Sequence, residues 1–307
     1  MRTILAFGNP VYDEIRTPRV ATPGRVLSGC STNACLALSR LGHQAELVGR
    51  VGADFQLQFV TDMERFGVRA WMEPASQTGG FRLIYDQRGD RTLDVLGLAD
   101  PITHVPSAIT EADLIVIGPI LQETPLGLWQ AIRAQTHAPI FLDPQGMLRR
   151  IAADGRIEHY VPADFAEVAS WCRVIKANEV EAHVLTGIDP RRDVAAAARA
   201  LRALGCTIAI VTLAEAGSFI DDGQRQLLIP AYPTDARDPT GAGDTYMAGF
   251  IHAYLENPDD LYRAGCMGAA VASLWIEDTG PEVALPLAEV LRRWEWLVAR
   301  RRDEASG

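Results

Sequence analysis

Positive charge is in short supply. The chain sets 29 lysines and arginines against 39 aspartates and glutamates, a net charge of −10 over 307 residues. Nucleic acid and anionic bilayers are held by clustered cations, so neither is expected as a partner. Long apolar runs are missing as well. The strongest, such as Leu114–Ile117, fall far short of the ~18 residues needed to cross a membrane. The opening Met1-Arg-Thr-Ile-Leu-Ala-Phe-Gly8 is too briefly apolar for a secretory leader and reads as a first strand, so a cytoplasmic location is expected. Cysteine is sparse. Cys30, Cys35, Cys172, Cys206 and Cys266 are odd in number and scattered, with no C-x-x-C pair and no Cys/His spacing for zinc, and the six histidines show no ligand spacing either. That excludes a disulfide scaffold and leaves free thiols. There is no internal repeat and no low-complexity linker.

What remains is ordinary globular composition, 48% hydrophobic and 22% charged, in a chain long enough to bury a large core. A single domain over residues 1–307 is expected. Short β-rich runs alternate with segments of helical period, the pattern of βαβ units around a largely parallel sheet covered on both faces. A helix starts near Ser31 or Thr32 and stops at Gly42, and another carries Phe59, Met63 and Phe66 and ends at Gly67. Strands are expected at 46–48, 114–117, 139–142, 174–175 and 207–211, with helices at 178–185 and 194–204. From Ala242 to about Arg302 the pattern is helical, with breaks near Asn257-Pro258 and Thr279-Gly-Pro281. Residues 11–30 and 67–98 break the rhythm. In the second, 81–85 and 91–94 flank the turn Asp86-Gln-Arg-Gly-Asp90 and read as antiparallel strands. A lone hairpin is marginal, so both stretches are expected to pair into a small sheet standing off the main body as a lid.

The stretch richest in chemistry is Asp238-Pro-Thr-Gly-Ala-Gly-Asp244-Thr-Tyr-Met-Ala-Gly249. Gly241 and Gly243 precede an apolar helical segment, where glycines admit a close ligand and the helix's free N–H groups make an anion site. A carboxylate beside a bound phosphate repels it unless the charge is used. Asp244 fits a general base that takes a proton from an attacking hydroxyl. The plain alternative is a tight turn followed by an acid that complements the helix dipole. A dinucleotide fingerprint would need a third glycine where Tyr246 stands, and no G-x-x-x-x-G-K-[ST] occurs. That removes the nicotinamide oxidoreductase and P-loop readings. Asp143, before Pro144-Gln-Gly, follows a strand at the edge where α/β sheets bind ligands and is a further candidate.

Taken in order, Ser28-Gly-Cys-Ser-Thr-Asn33-Ala, Leu41-Gly42, Gly49-Arg-Val-Gly52-Ala-Asp54, Lys176-Ala-Asn178-Glu179-Val-Glu181 and the stretch 238–244 resemble the signatures of the ribokinase-like (PfkB) family of carbohydrate and nucleoside kinases. The likeness runs over nearly the whole chain. It implies a ribokinase-like three-layer α/β sandwich with a mainly parallel central sheet and a small β-sheet lid. It implies a magnesium-requiring kinase that phosphorylates, from ATP, a hydroxyl of a sugar, sugar derivative or nucleoside.

By that resemblance Asp244 is the base, and Gly241, Ala242 and Gly243 with Asp244 make the anion hole. Asp13, Gly29 and Asn33 face the acceptor. Asn178 and Glu181 help place Mg²⁺ and phosphates, largely through water, although their i, i+3 spacing equally suits a helix capping box. Thr212 and Gly217 belong to the nucleotide loop, and a monovalent cation such as K⁺ is expected near Asp238 and Thr240. Three places depart from the family pattern: Ala214 and Cys30 stand where glycine is usual, and Gln56 or Leu57 where glycine often follows the aspartate. A non-catalytic sensor of nucleotide or sugar on the same fold is the alternative, against which the retained Asp244 speaks. The lid's open β edges allow a homodimer.

Overall fold

The computed structural model describes residues 1–86 and 91–304. The chain opens with β1 (Thr3–Phe7), β2 (Val11–Arg16), β3 (Val26–Ser28) and α1 (Cys30–Arg40). There follow β4 (Gln44–Gly52), α2 (Gln56–Phe66), β5 (Arg69–Ala75), β6 (Gly80–Tyr85) and β7 (Arg91–Gly97). The middle holds β8 (Leu114–Ile117), α3 (Leu126–Gln135), β9 (Ile140–Leu142), β10 (Arg149–Ile151), β11 (Ile157–His159) and α4 (Phe165–Ser170). Next come β12 (Cys172–Asn178), α5 (Glu179–Thr186), α6 (Val194–Ala203), β13 (Ile208–Thr212), β14 (Ser218–Asp221) and β15 (Gln226–Ile229). Three helices close the chain: α7 (Ala242–Glu256), α8 (Leu261–Trp275) and α9 (Leu287–Glu304).

A nine-stranded sheet runs in the order β15-β14-β13-β12-β9-β8-β1-β4-β5. It is parallel from β5 to β13 and antiparallel in its last two pairings. Side chains alternate across a strand, and here both faces are apolar. Ile4 and Ala6 of β1 join the core formed by α1, α2, α7, α8 and α9, whereas Leu5 and Phe7 join the one formed by α3, α4, α5 and α6. That is the three-layer sandwich. Gly67, in the left-handed region at φ 65°, ends α2 as the sequence requires.

A separate sheet in the order β3-β2-β6-β7 stands apart from the large one. It packs its own apolar set, Val11, Ile15, Phe81, Leu83 and Tyr85, against Cys30 and Ile120. One expectation is corrected here. Within 67–98, β5 belongs to the large sheet, where it pairs in parallel with β4 along its whole length. Its faces explain why: Ala70 and Met72 pack on one core and Trp71 on the other. Only residues 80–97 join residues 11–28 in the small sheet. The turn at residues 87–90 lies outside the described residues. The hairpins β10–β11 and β14–β15 were not expected from the sequence.

Candidate active site

Parallel strands in α/β folds carry ligands at their carboxyl ends. Here Asp143 follows β9, Asn178 ends β12 and Thr212 ends β13, with Asn178 and Thr212 directly paired across the sheet. Helices α1 and α7 start at the same edge. Gly241 caps α7 with φ 81°, a conformation open to glycine, and a Cβ there would lie 2.8 Å from the Trp275 indole nitrogen and 3.0 Å from Asn33 Nδ2. This close approach brings the two helices together. Asn33 Nδ2 donates to Asp244 Oδ2 at 2.9 Å.

Fewer free N–H groups stand at the start of α7 than the resemblance implies for an anion hole. The Ala242 N–H donates to the Pro239 carbonyl at 3.1 Å, which closes the loop and removes that donor. Among the described residues no acceptor faces the N–H groups of Gly241, Gly243 or Asp244. A Cβ at Gly243 would lie 2.5 Å from Lys176 Nζ, so an ammonium rests directly on the helix start. Lys176 in turn pairs with Asp143 at 2.5 Å, both buried. The thiol of Cys30 also lies at this point. Cys30, Asp143 and Asp244 bring their ligating atoms within 4.8 Å of one another.

Burial raises the pKa of Asp244 above the usual carboxylate range. Asp143 adds to the rise, while Lys176, Asn33 and Cys30 oppose it. The three-residue cluster suits a magnesium ion poorly, since one ligand is sulfur and Asp143 already has a cation against it. Asn178 and Glu181 fit better. They form a full capping box, in which Glu181 N–H donates to Asn178 Oδ1 and Asn178 N–H to Glu181 Oε2. Asn178 Nδ2 donates to Glu181 Oε1 at 2.7 Å. Each Glu181 oxygen thus has one donor and keeps a lone pair, enough to hold a hydrated ion through water. Burial, then Asp143, pushes Glu181 up to about 7.

Asp13 is buried where the small sheet meets the body. Its Oδ1 accepts from the Phe81 N–H at 2.7 Å, and burial pushes its pKa up to about 6 against the pull of that bond, Ser28, Arg25 and Arg91. Gly29 caps α1 one residue before Cys30, so the turn next to the small sheet leads straight to Asp244. Asp238 is buried with both oxygens engaged, by the Thr240 N–H and the Thr279 hydroxyl. The small sheet also touches the signature loop. Tyr85 Oη lies 3.0 Å from Thr240 Oγ1, and Arg19 pairs with Asp235. The loop expected to hold the nucleotide turns through Ala214 at φ 47°, a left-handed position that a glycine would occupy without strain, and Gly217 follows at φ 90°.

The expected residues therefore gather in two groups. Asn33, Asp244, Gly241 and Gly243 form one; Asn178, Glu181 and Thr212 form its neighbour along the sheet edge. Sequence reasoning gave no role to Lys176. A lysine within the buried run Val174-Ile175-Lys176-Ala177 is the signal, since a charge on a covered strand needs a partner.

A sheet whose carboxyl edge meets a glycine-capped helix start offers an anion site, and comparison with known proteins gives the family. The chain belongs to the pfkB family of carbohydrate kinases, described as "pfkB family carbohydrate kinase", which it matches over residues 6–288. It is similar to a cytidine kinase of Thermococcus kodakarensis, 25% identical with 83% of this chain and 89% of that one covered. It is also similar to a ribokinase of Bacillus subtilis, 29% identical with 85% of each covered. A solved pyrophosphate-dependent kinase of the ribokinase family, complexed with a pyrophosphate analogue and myo-inositol, superposes with a TM-score of 0.80. It is 20% identical, with 94% of this chain and 99% of that one covered, a likeness of fold. No helix among the described residues is long and apolar enough to cross a membrane.

Proposed function

We propose that the protein phosphorylates a hydroxyl of a sugar, sugar derivative or nucleoside from ATP, with Asp244 as general base and the N–H groups around residues 241–244 as the anion hole. The observation that carries this reading is the buried Asp244 carboxylate, fixed by Asn33 beside unsatisfied N–H donors at the start of α7. The acceptor enters between Asp13, Gly29 and Asn33 under the small sheet, which acts as a lid and excludes water as a competing acceptor. Asp244 receives the hydroxyl proton as the oxygen attacks. The N–H groups of Gly243 and Asp244, with Lys176 behind them, take up charge on the transferring phosphoryl group. Mg²⁺, held through water by Asn178 and Glu181, would neutralise donor phosphates. Thr212 and Gly217 hold the nucleotide.

A monovalent cation at Asp238 and Thr240, tested by adding K⁺, and a homodimer through the lid, tested by sedimentation, complete the proposal. The relatives' names cover cytidine, ribose and myo-inositol, so the acceptor panel spans nucleosides, pentoses and cyclitols, and the donor panel includes pyrophosphate beside ATP.

The test is product release across these panels for the wild type and Asp244→Asn. The expected result is a fall in turnover of about 10²–10⁴-fold with ATP binding retained. Full turnover in Asp244→Asn overturns the base assignment, and no turnover with any acceptor overturns the kinase reading. A base must be ionised to work. With the Asp244 pKa raised, kcat/KM is expected to fall on acidification at a pH above the ordinary carboxylate range, which a pH–rate profile reads directly.

A further inference from the structure

Cys30 is the first residue of α1, and its side chain is caged. A Cβ at Gly118, the residue after β8, would lie 2.6 Å from Cys30 Sγ, so the end of that strand is bare where the sulfur stands. The cage is itself tied down. The Gly118 N–H donates to the Phe7 carbonyl at 3.0 Å, and the hydroxyl of Ser31, next in α1, donates to the same carbonyl at 2.8 Å. The Asp143 N–H donates to the Ile117 carbonyl at 2.9 Å, which fixes the loop after β9 to the end of β8. From this position the sulfur lies within 4.8 Å of carboxylate oxygens of both Asp143 and Asp244.

The two carboxylates differ in what surrounds them. Asp143 has the Lys176 ammonium, whereas Asp244 takes one bond from Asn33 and a second from the Cys30 thiol. Burial, then Asp143 and Asp244, raise the pKa of that thiol well above its ordinary value, against the pull of Lys176. The sulfur therefore keeps its proton, and it serves as a donor and not as a nucleophile. Cys30 also packs among Val11, Ile15 and Phe81 of the small sheet. One side chain thus joins the apolar set of the lid to the carboxylate at the start of α7.

We propose that Cys30 is a positioning residue, whose caged thiol holds the Asp244 carboxylate together with Asn33, one helical turn further along α1. Its role in turnover rests on the reading of Asp244 as the base; the contact itself does not. A donor on a carboxylate stabilises the ionised form. Burial works against an ionised Asp244, as does Asp143 after β9, while Lys176 on β12, Arg91 on β7, and Asn33 and Cys30 on α1 favour it. Loss of the thiol must then raise the pH at which Asp244 gives up its proton.

The titration of Asp244 is followed by infrared difference spectroscopy of the full-length protein, its carboxyl band assigned by its absence in Asp244→Asn. Wild type, Cys30→Ala, Cys30→Val and Cys30→Ser are compared. Cys30→Ala removes the donor and leaves a gap, Cys30→Val removes the donor and fills the space, and Cys30→Ser keeps a donor. Ala and Val are expected to move the titration up by about half a pH unit, a ~threefold loss of ionised Asp244 on the acid side. Ser is expected to return it to the wild-type position or below. An unmoved titration in Cys30→Val overturns the proposal even if Cys30→Ala does not fold, and so does a Cys30→Ser that behaves as Ala does.

Kinetics separate this proposal from the reading on which its role rests. With cytidine, ribose and myo-inositol as acceptors, the acid limb of kcat/KM is expected to follow the infrared titration, with the KM for ATP unchanged. A raised KM for ATP over an unmoved limb assigns Cys30 to packing alone and overturns the role in turnover. Full turnover in Asp244→Asn overturns the base reading, and the infrared titration still decides whether Cys30 holds Asp244.

Discussion

Position 176 puts a lysine where its neighbours Val174, Ile175 and Ala177 are fully buried, and the structure answers it with Asp143 at 2.5 Å. Removing one member of such a pair strands the other charge. Lys176→Met is expected to cost about 3–5 kcal/mol in stability, and adding Asp143→Asn to that variant is expected to recover most of it. Urea unfolding of the single and double variants checks both figures. The partnership could not be read from the sequence, because it joins β12 to the loop after β9 across a strand pairing that no local pattern declares. Asp244 was legible, since a glycine turn, a carboxylate and a helix start are consecutive residues. Asn33 was legible as a signature residue, but its bond to Asp244 spans 211 positions. Of the departures from the family pattern, Cys30 falls beside Asp244 and Ala214 at a left-handed turn after β13.

Helix α7 owes its placement to α8. A Cβ at Gly249 would lie 2.6 Å from the Met267 carbonyl, and one at Gly268 would lie 2.8 Å from the Tyr246 carbonyl. The two helices thus cross backbone to backbone. Gly249→Ala must push them apart, with an expected cost of about 1–3 kcal/mol. Because α7 begins at residues 241–244, where we propose the anion hole, kcat should fall as well, with the variant still folded by circular dichroism. Most elements declared themselves in the same physical terms. Strong period and a terminal glycine fixed α1 and α2, and the buried runs at 114–117 and 208–212 fixed strands. The elements missed were short. Residues 149–151 and 226–229 are too brief for a period to show, and half of their side chains face solvent. β5 was misplaced because a hairpin follows it directly and its own alternation is blurred by intermediate burial.

At the scale of the molecule, both apolar layers share one sheet, so neither can open without exposing the other. We propose that residues 1–307 form one cooperative unit, lid included. Thermal unfolding followed by near- and far-UV circular dichroism should give one coincident transition, and a separate early transition would assign the lid its own stability. Net charge belongs to this scale too. A protein at −10 must attract phosphate locally, through N–H groups and the few cations it turns inward, because its overall field repels the ligand.

Two of the crossings between the small sheet and the body leave strands that flank β4. β2 continues from β1 through residues 8–10, and β6 continues from β5 through residues 76–79. At a strand spacing of ~4.8 Å those two joints stand roughly 10 Å apart. Each is pinned: Asn9 accepts from the Arg50 N–H, and Thr78 Oγ1 accepts from the Gly52 N–H. The chain crosses twice more, from β3 into α1 through Gly29 and out of β7 after Gly97, so four crossings tie the small sheet to the body.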